Sequence, residues 1–82
     1  MELPAIDITR AELNKKLTQL KHGISLAEVR RLLGGSEFKT EGQNSFWRFR
    51  VTDAVHAHDP YEIYMGAFED EKLTTGAMLP RG

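Results

Sequence analysis

The run His56-Ala57-His58-Asp59 sets two imidazoles two residues apart, with Asp53 just upstream. On an extended segment, imidazoles at that spacing face one side, so an ion between them would take Asp53 or Asp59 as a third ligand. The ligand set is incomplete and lies in a polar stretch beside Pro60, and short motifs of this kind are weak alone. A solvated loop, pH-sensitive near neutrality, is the preferred reading, and no metal is assigned to it.

The remaining chemistry-bearing residues are better explained as structure. Thr9 and Ser25 stand where helix caps belong, and no base follows them as a nucleophile would require. Glu69, Asp70 and Glu71 crowd a turn, where mutual repulsion suits an exposed tip. With no cysteine there is neither thiolate chemistry nor a disulfide, and no glycine-rich phosphate loop follows a strand. The sequence is therefore read as non-enzymatic, with no cofactor.

Eighty-two residues with a formal charge of −1 make one small domain spanning residues 1–82, without the electrostatic footprint of a strong nucleic-acid binder. No run approaches the ~18 apolar residues of a membrane span. The opening residues lack the basic start and apolar block of a signal peptide. As written, the chain is expected in the cytoplasm; with a leader trimmed away it would be periplasmic or outer-membrane-associated.

Two helices announce themselves with the same grammar. Thr9-Arg10-Ala11-Glu12 fits a capping box, with Ile8 and Leu13 at hydrophobic-staple spacing. Leu13, Leu17 and Leu20 then form one apolar stripe, which predicts a helix over 9–22 stopped by Gly23. Ser25-Leu26-Ala27-Glu28 repeats the box, with Ile24 and Val29 as staple, and predicts a helix over 25–33 ended by Gly34 and Gly35.

After Gly35 the period changes. Residues 36–44 are polar, with a turn at Gly42 and Asn44 and a short extended piece around Phe38. Residues 45–52 alternate, with Trp47, Phe49 and Val51 on one side and Arg48, Arg50 and Thr52 on the other, as in a half-buried strand. Residues 61–68 and 73–79 supply two more strands around a charged turn. The expected fold is α+β: two N-terminal helices packed on one face of a three-stranded antiparallel meander, a two-layer sandwich. Trp47 is its expected core anchor, contributing on the order of 2–3 kcal/mol.

Three motifs in order resemble the SmpA/OmlA family of small outer-membrane lipoprotein domains, which includes the BamE-like subunits of the barrel-assembly machinery. The first is G-[IM]-[ST]-x-x-[EQ]-V-x-x-L-L-G, matched by Gly23, Ile24, Ser25, Glu28, Val29, Leu32, Leu33 and Gly34. The second is an aromatic strand, Trp47 and Phe49. The third is Phe68, Asp70, Lys72 and Leu73. Related β-lactamase-inhibitory modules share the fold. Ser36 stands where the family usually places proline, and there is no lipobox cysteine, so the lipoproteins' anchoring is not carried over. The resemblance implies the fold and a habit of working by protein–protein contact without cofactor.

One helical layer covers one side of a sheet. The other side is expected to show an aromatic patch drawn from Phe46, Tyr61, Tyr64, Met65 and Phe68, edged by Arg48 and Arg50, of the kind that marks contact surfaces. Phe46, Arg48, Arg50, Tyr61 and Tyr64 are the candidate partner-binding residues, for another protein or for self-association. Arg48 or Arg50 pairing across the sheet with Glu62 or another strand acid is the plainer alternative. The competing function is a helix-turn-helix nucleic-acid binder built from helices 9–22 and 25–33. Against it stand the net charge and a second helix that offers outward only Arg30 and Arg31.

The caps give the first test. Ser25→Ala is expected to lower the unfolding free energy by roughly 0.5–2 kcal/mol, read as an earlier urea midpoint at an unchanged slope.

Overall fold

Both capping signals close as their sequences require. The Thr9 hydroxyl accepts from the Glu12 amide and the Ser25 hydroxyl from the Glu28 amide, each at 3.2 Å. They open helices α1 (Arg10–Thr18) and α2 (Leu26–Leu33). The computed structural model describes residues 5–54 and 60–79; the candidate ligands His56, His58 and Asp59 lie outside them.

The expected three-stranded antiparallel meander is replaced by a five-stranded mixed sheet: β1 (Ile6–Ile8), β2 (Glu37–Glu41), β3 (Asn44–Val51), β4 (Tyr61–Glu69) and β5 (Lys72–Met78). Within it, β3, β4 and β5 pair antiparallel in succession. β1 adds parallel to β3, Ile6 opposite Phe49 and Ile8 opposite Val51. β2 adds antiparallel to the other half of the same β3 edge. The turn at Gly42 and the extended piece around Phe38 both form, but that piece is a paired strand of the sheet, entered through one turn of 3-10 helix at Gly34–Ser36.

Turn chemistry fixes the hairpins. Glu41 pairs with Asn44, and Gly42 between them takes φ 59°, the positive value that a two-residue connection needs at its first position. Between β4 and β5, Asp70 and Glu71 both take positive φ, 53° and 61°. Glu71 has no intrinsic liking for that region. A tertiary bond holds it there, since its carbonyl accepts the Leu26 amide at 2.8 Å.

The same stretch explains why α1 stops at Thr18 instead of running to residue 22. Gly23 N–H donates to Leu73 O and Leu73 N–H to Ile24 O, both at 2.8 Å. Backbone committed to β5 is unavailable to a helix.

Strand alternation sorts the side chains. Under the helices lie Trp47, Phe49 and Val51 of β3, Tyr64 and Phe68 of β4, and Leu73 of β5, closed over by Ile8, Leu13, Val29 and Leu33. Trp47 is fully buried, with the rings of Tyr64 and Phe68 each 6.0 Å from it. Room for those rings comes from a pair of glycines facing each other across β4 and β5, Gly66 and Gly76. A Cβ at Gly66 would press the Phe68 ring at 2.9 Å, and one at Gly76 would overlap the Tyr64 hydroxyl.

Gly76→Ala should therefore cost about 1–3 kcal/mol, the usual toll of overpacking. Placing it in a Tyr64→Phe background, where the overlapping oxygen is gone, should recover part of the loss. A double-mutant cycle by urea denaturation reads this as non-additivity; strictly additive effects would show that the two side chains do not meet.

Candidate functional site

The face of the sheet away from α1 and α2 is built by the opposite parity of the same strands. On β3 it carries Phe46, Arg48 and Arg50, whose partners on β4 are Met65, Ile63 and Tyr61. A bulge in β2 leaves Phe38 as an extra residue opposite Phe46, and the two rings meet at 6.3 Å. Ala67, Thr75 and Ala77 continue the surface toward β5. Among the described residues no helix or second sheet lies over it.

Cations sit on the rings. The Arg48 guanidinium lies 3.8 Å from the centre of the Tyr61 ring, and the Lys39 ammonium 5.6 Å from that of Phe46. Each such contact is worth about 0.5–1 kcal/mol at an exposed site. Arg50 reaches Asp7 of β1 at 3.4 Å, and Lys39 reaches Glu41 at 3.3 Å. Phe46, Tyr61, Ile63 and Met65 are half-buried rather than exposed. Of the expected patch, Phe46, Tyr61 and Met65 lie on this face, and cations of the same face sit over two of its rings.

Of the sequence-predicted residues, the structure brings together Phe46, Arg48, Arg50 and Tyr61. It separates Tyr64, which is 5% exposed and packs on Trp47 under the helices, with Phe68 beside it. Burial pushes the Tyr64 phenol above its ordinary pKa, so it stays protonated across the physiological range. The signal was in the spacing: Tyr61 and Tyr64 differ by an odd number and cannot share one face of a strand. The residues that sequence reasoning left out of the site are Phe38 and Lys39, which the bulge turns onto this side, and Ile63, named by its parity with Met65.

The plainer alternative is met for one arginine: Arg50 pairs across the sheet with Asp7, its register partner on β1. Glu62 points under the helices, where both of its oxygens take the guanidinium of Arg10. Asp53, weighed as a metal ligand, accepts the Arg10 amide at 2.9 Å and so helps to cap α1. Among the described residues, no group of three His, Cys, Asp or Glu is placed to hold a metal. No helix among them is long and apolar enough to cross a membrane.

The helices do not present a reading head. Residues 19–25 separate α1 from α2, longer than the 3–4-residue turn of a helix-turn-helix. Both outward arginines of α2 are engaged by carboxylates, Arg30 with Glu37 at 2.9 Å and Arg31 with Glu28. No family model, curated protein or solved structure matches the chain.

The Arg30–Glu37 pair ties α2 to β2 and is sensitive to acid. Burial opposes ionisation of Glu37, but hydrogen bonds from Arg30, Thr40 and Ser45 and the charge of Arg30 outweigh it, so its pKa lies below the ordinary carboxylate value of 4.5. A carboxylate depressed by folding contributes stability that is complete above its unfolded pKa and is lost as pH falls through the folded one. The urea midpoint should fall as pH drops below 4.5, and less so in Glu37→Gln. Equal acid sensitivity in both proteins would remove Glu37 as a contributor.

Proposed function

We propose that this protein is a non-catalytic interaction module that docks another protein on the open face of its sheet. The observation that carries this reading is the contiguous row of Phe38, Phe46, Met65, Ile63 and Tyr61 on the side away from both helices. Phe, Tyr, Met and Arg are the residue types enriched where proteins meet. The members of this row are half-buried and adjacent, and apolar groups gathered on one face in this way suit a contact surface. The SmpA/OmlA resemblance supports the same conclusion, because that family works through protein contact without a cofactor. Self-association through the face is the other occupant consistent with its composition.

A photo-crosslinking amino acid in place of Phe46 tests the reading in cells that express the gene. A discrete protein adduct is expected from that position and not from Ala27, which is exposed on α2. Excess unlabelled wild-type chain should compete it away, and the Ile63→Asp/Met65→Asp variant should not. Equal labelling from both positions, or equal competition by the variant, would sink the proposal; an adduct with a second copy of the chain would assign the face to self-association.

A further inference from the structure

β5 is the outer strand on its side of the sheet. Leu79 N–H donates to Ile63 O at 2.9 Å. An antiparallel ladder alternates, so the N–H and C=O groups of Gly76 and Met78 face outward, away from β4. The lower end of this edge is already in use. Gly23 and Ile24 exchange backbone bonds with Leu73, Ser25 bridges antiparallel to Lys72, and Leu26 bonds to Glu71. Residues 23–26 therefore lie along β5 like a short added strand. Above Leu73 the edge has no strand partner among the described residues.

The other outer strands are guarded against pairing. β1 has three residues, while β2 carries a bulge at Phe38 and the charges of Glu37, Lys39 and Glu41. Residues 75–78 of β5 carry no charge and no proline. Beside them, on the helix side, the end of α1 stands back and leaves a cavity of about 260 Å³ between Leu17, Leu20, His22, Tyr64, Gly76 and Met78. Its volume falls below the ~300–1,000 Å³ typical of pockets for drug-sized ligands, which suits a single side chain better. The cavity lining holds no carboxylate, and the exposed His22, next to Lys21, stands on its rim.

We propose that the upper edge of β5 and this cavity form a peptide-binding groove. An extended segment of a partner protein pairs with Gly76 and Met78, continuing the line begun by residues 23–26, and sends one apolar side chain into the cavity. An acidic residue of the segment faces His22 on the cavity rim. Strand addition of this kind takes its affinity from backbone hydrogen bonds and its specificity from the pocket. The groove shares Thr75 and Ala77 with the margin of the open sheet face but none of the row from Phe38 to Tyr61, so the two proposals are tested independently.

The probe is a phage-displayed library of random dodecapeptides panned on the immobilised full chain. The selected peptide is then titrated into ¹⁵N-labelled protein. Enriched sequences should pair an apolar residue with a nearby Asp or Glu, and binding should shift and protect the Gly76 and Met78 amides. Met78→Pro removes an outward N–H and no ladder bond, a change edge strands tolerate; it should weaken binding by about tenfold or more, as loss of a backbone bond implies. The same peptide N-methylated at alternate residues should fail on the unaltered chain, which tests pairing without touching the fold. Phe46→Asp should bind as the wild type does. The proposal is overturned if no sequence is enriched, if N-methylation is without effect, or if the shifts fall on Phe46 and Ile63. It is equally overturned by a wild-type dimer, seen in sedimentation, that Met78→Pro dissolves, since the edge would then belong to a second copy of the chain.

Discussion

The seat of Trp47 is the constraint on which the rest depends. An indole that is fully buried in so short a chain needs flat partners on the neighbouring strand, and Tyr64 and Phe68 supply them. Those rings need space on the same face, and the facing glycines 66 and 76 provide it. The indole N–H itself finds no acceptor among the described residues. Leaving such a donor unpaired costs about 1–3 kcal/mol, comparable with what burying the side chain contributes. The packing of Trp47 on Tyr64 and Phe68 sets which face of β3 and β4 turns to the helices, and every outward residue takes its place from that choice.

The helices depend on the same sheet for their ends. α1 begins where Thr9 and Asp53 cap it and ends where residues 23–26 turn to pair with β5. α2 starts from that pairing, and its first amides hold the positive-φ turn at Glu71. Cap, edge and turn thus form one closed circuit of backbone bonds. A change in the turn at Asp70 and Glu71 is felt at the N-terminus of α2, far away in sequence and adjacent in space.

What the sequence made legible was what short-range physics decides. Capping boxes are local, so both helix starts were readable; alternation over eight residues is local, so the buried side of β3 was readable too. β1 was hidden because Ile6-Asp7-Ile8 reads equally as the lead-in to a cap, and its parallel partner lies some forty residues away. β2 was hidden because Glu37-Phe38-Lys39-Thr40-Glu41 holds a single apolar residue and a bulge interrupts its period. Grouping Tyr64 with Tyr61 put an aromatic count ahead of parity, and the alternation of β4 overrules it. The end of α1 was set by a tertiary bond to Leu73 that no local signal encodes.

The open face shows how a small domain tolerates apolar surface that it has too few residues to cover. Arg48 over Tyr61 and Lys39 over Phe46 screen the two rings with charge that remains hydrated. Removing either cation to reach the ring beneath would forfeit about 0.5–1 kcal/mol of cation–π attraction. Ile63, opposite Arg48, and Met65, opposite Phe46, are aliphatic and take no part in either cation–ring pair, so contact with them does not require that loss. On the proposed reading, a docked protein would gain most by packing apolar groups onto Ile63 and Met65 while setting carbonyl or carboxylate oxygens against the guanidinium rim. Such an arrangement keeps the stacked pairs intact, adds hydrogen bonds to the cations, and penalises any partner whose own cations would meet Arg48 and Arg50.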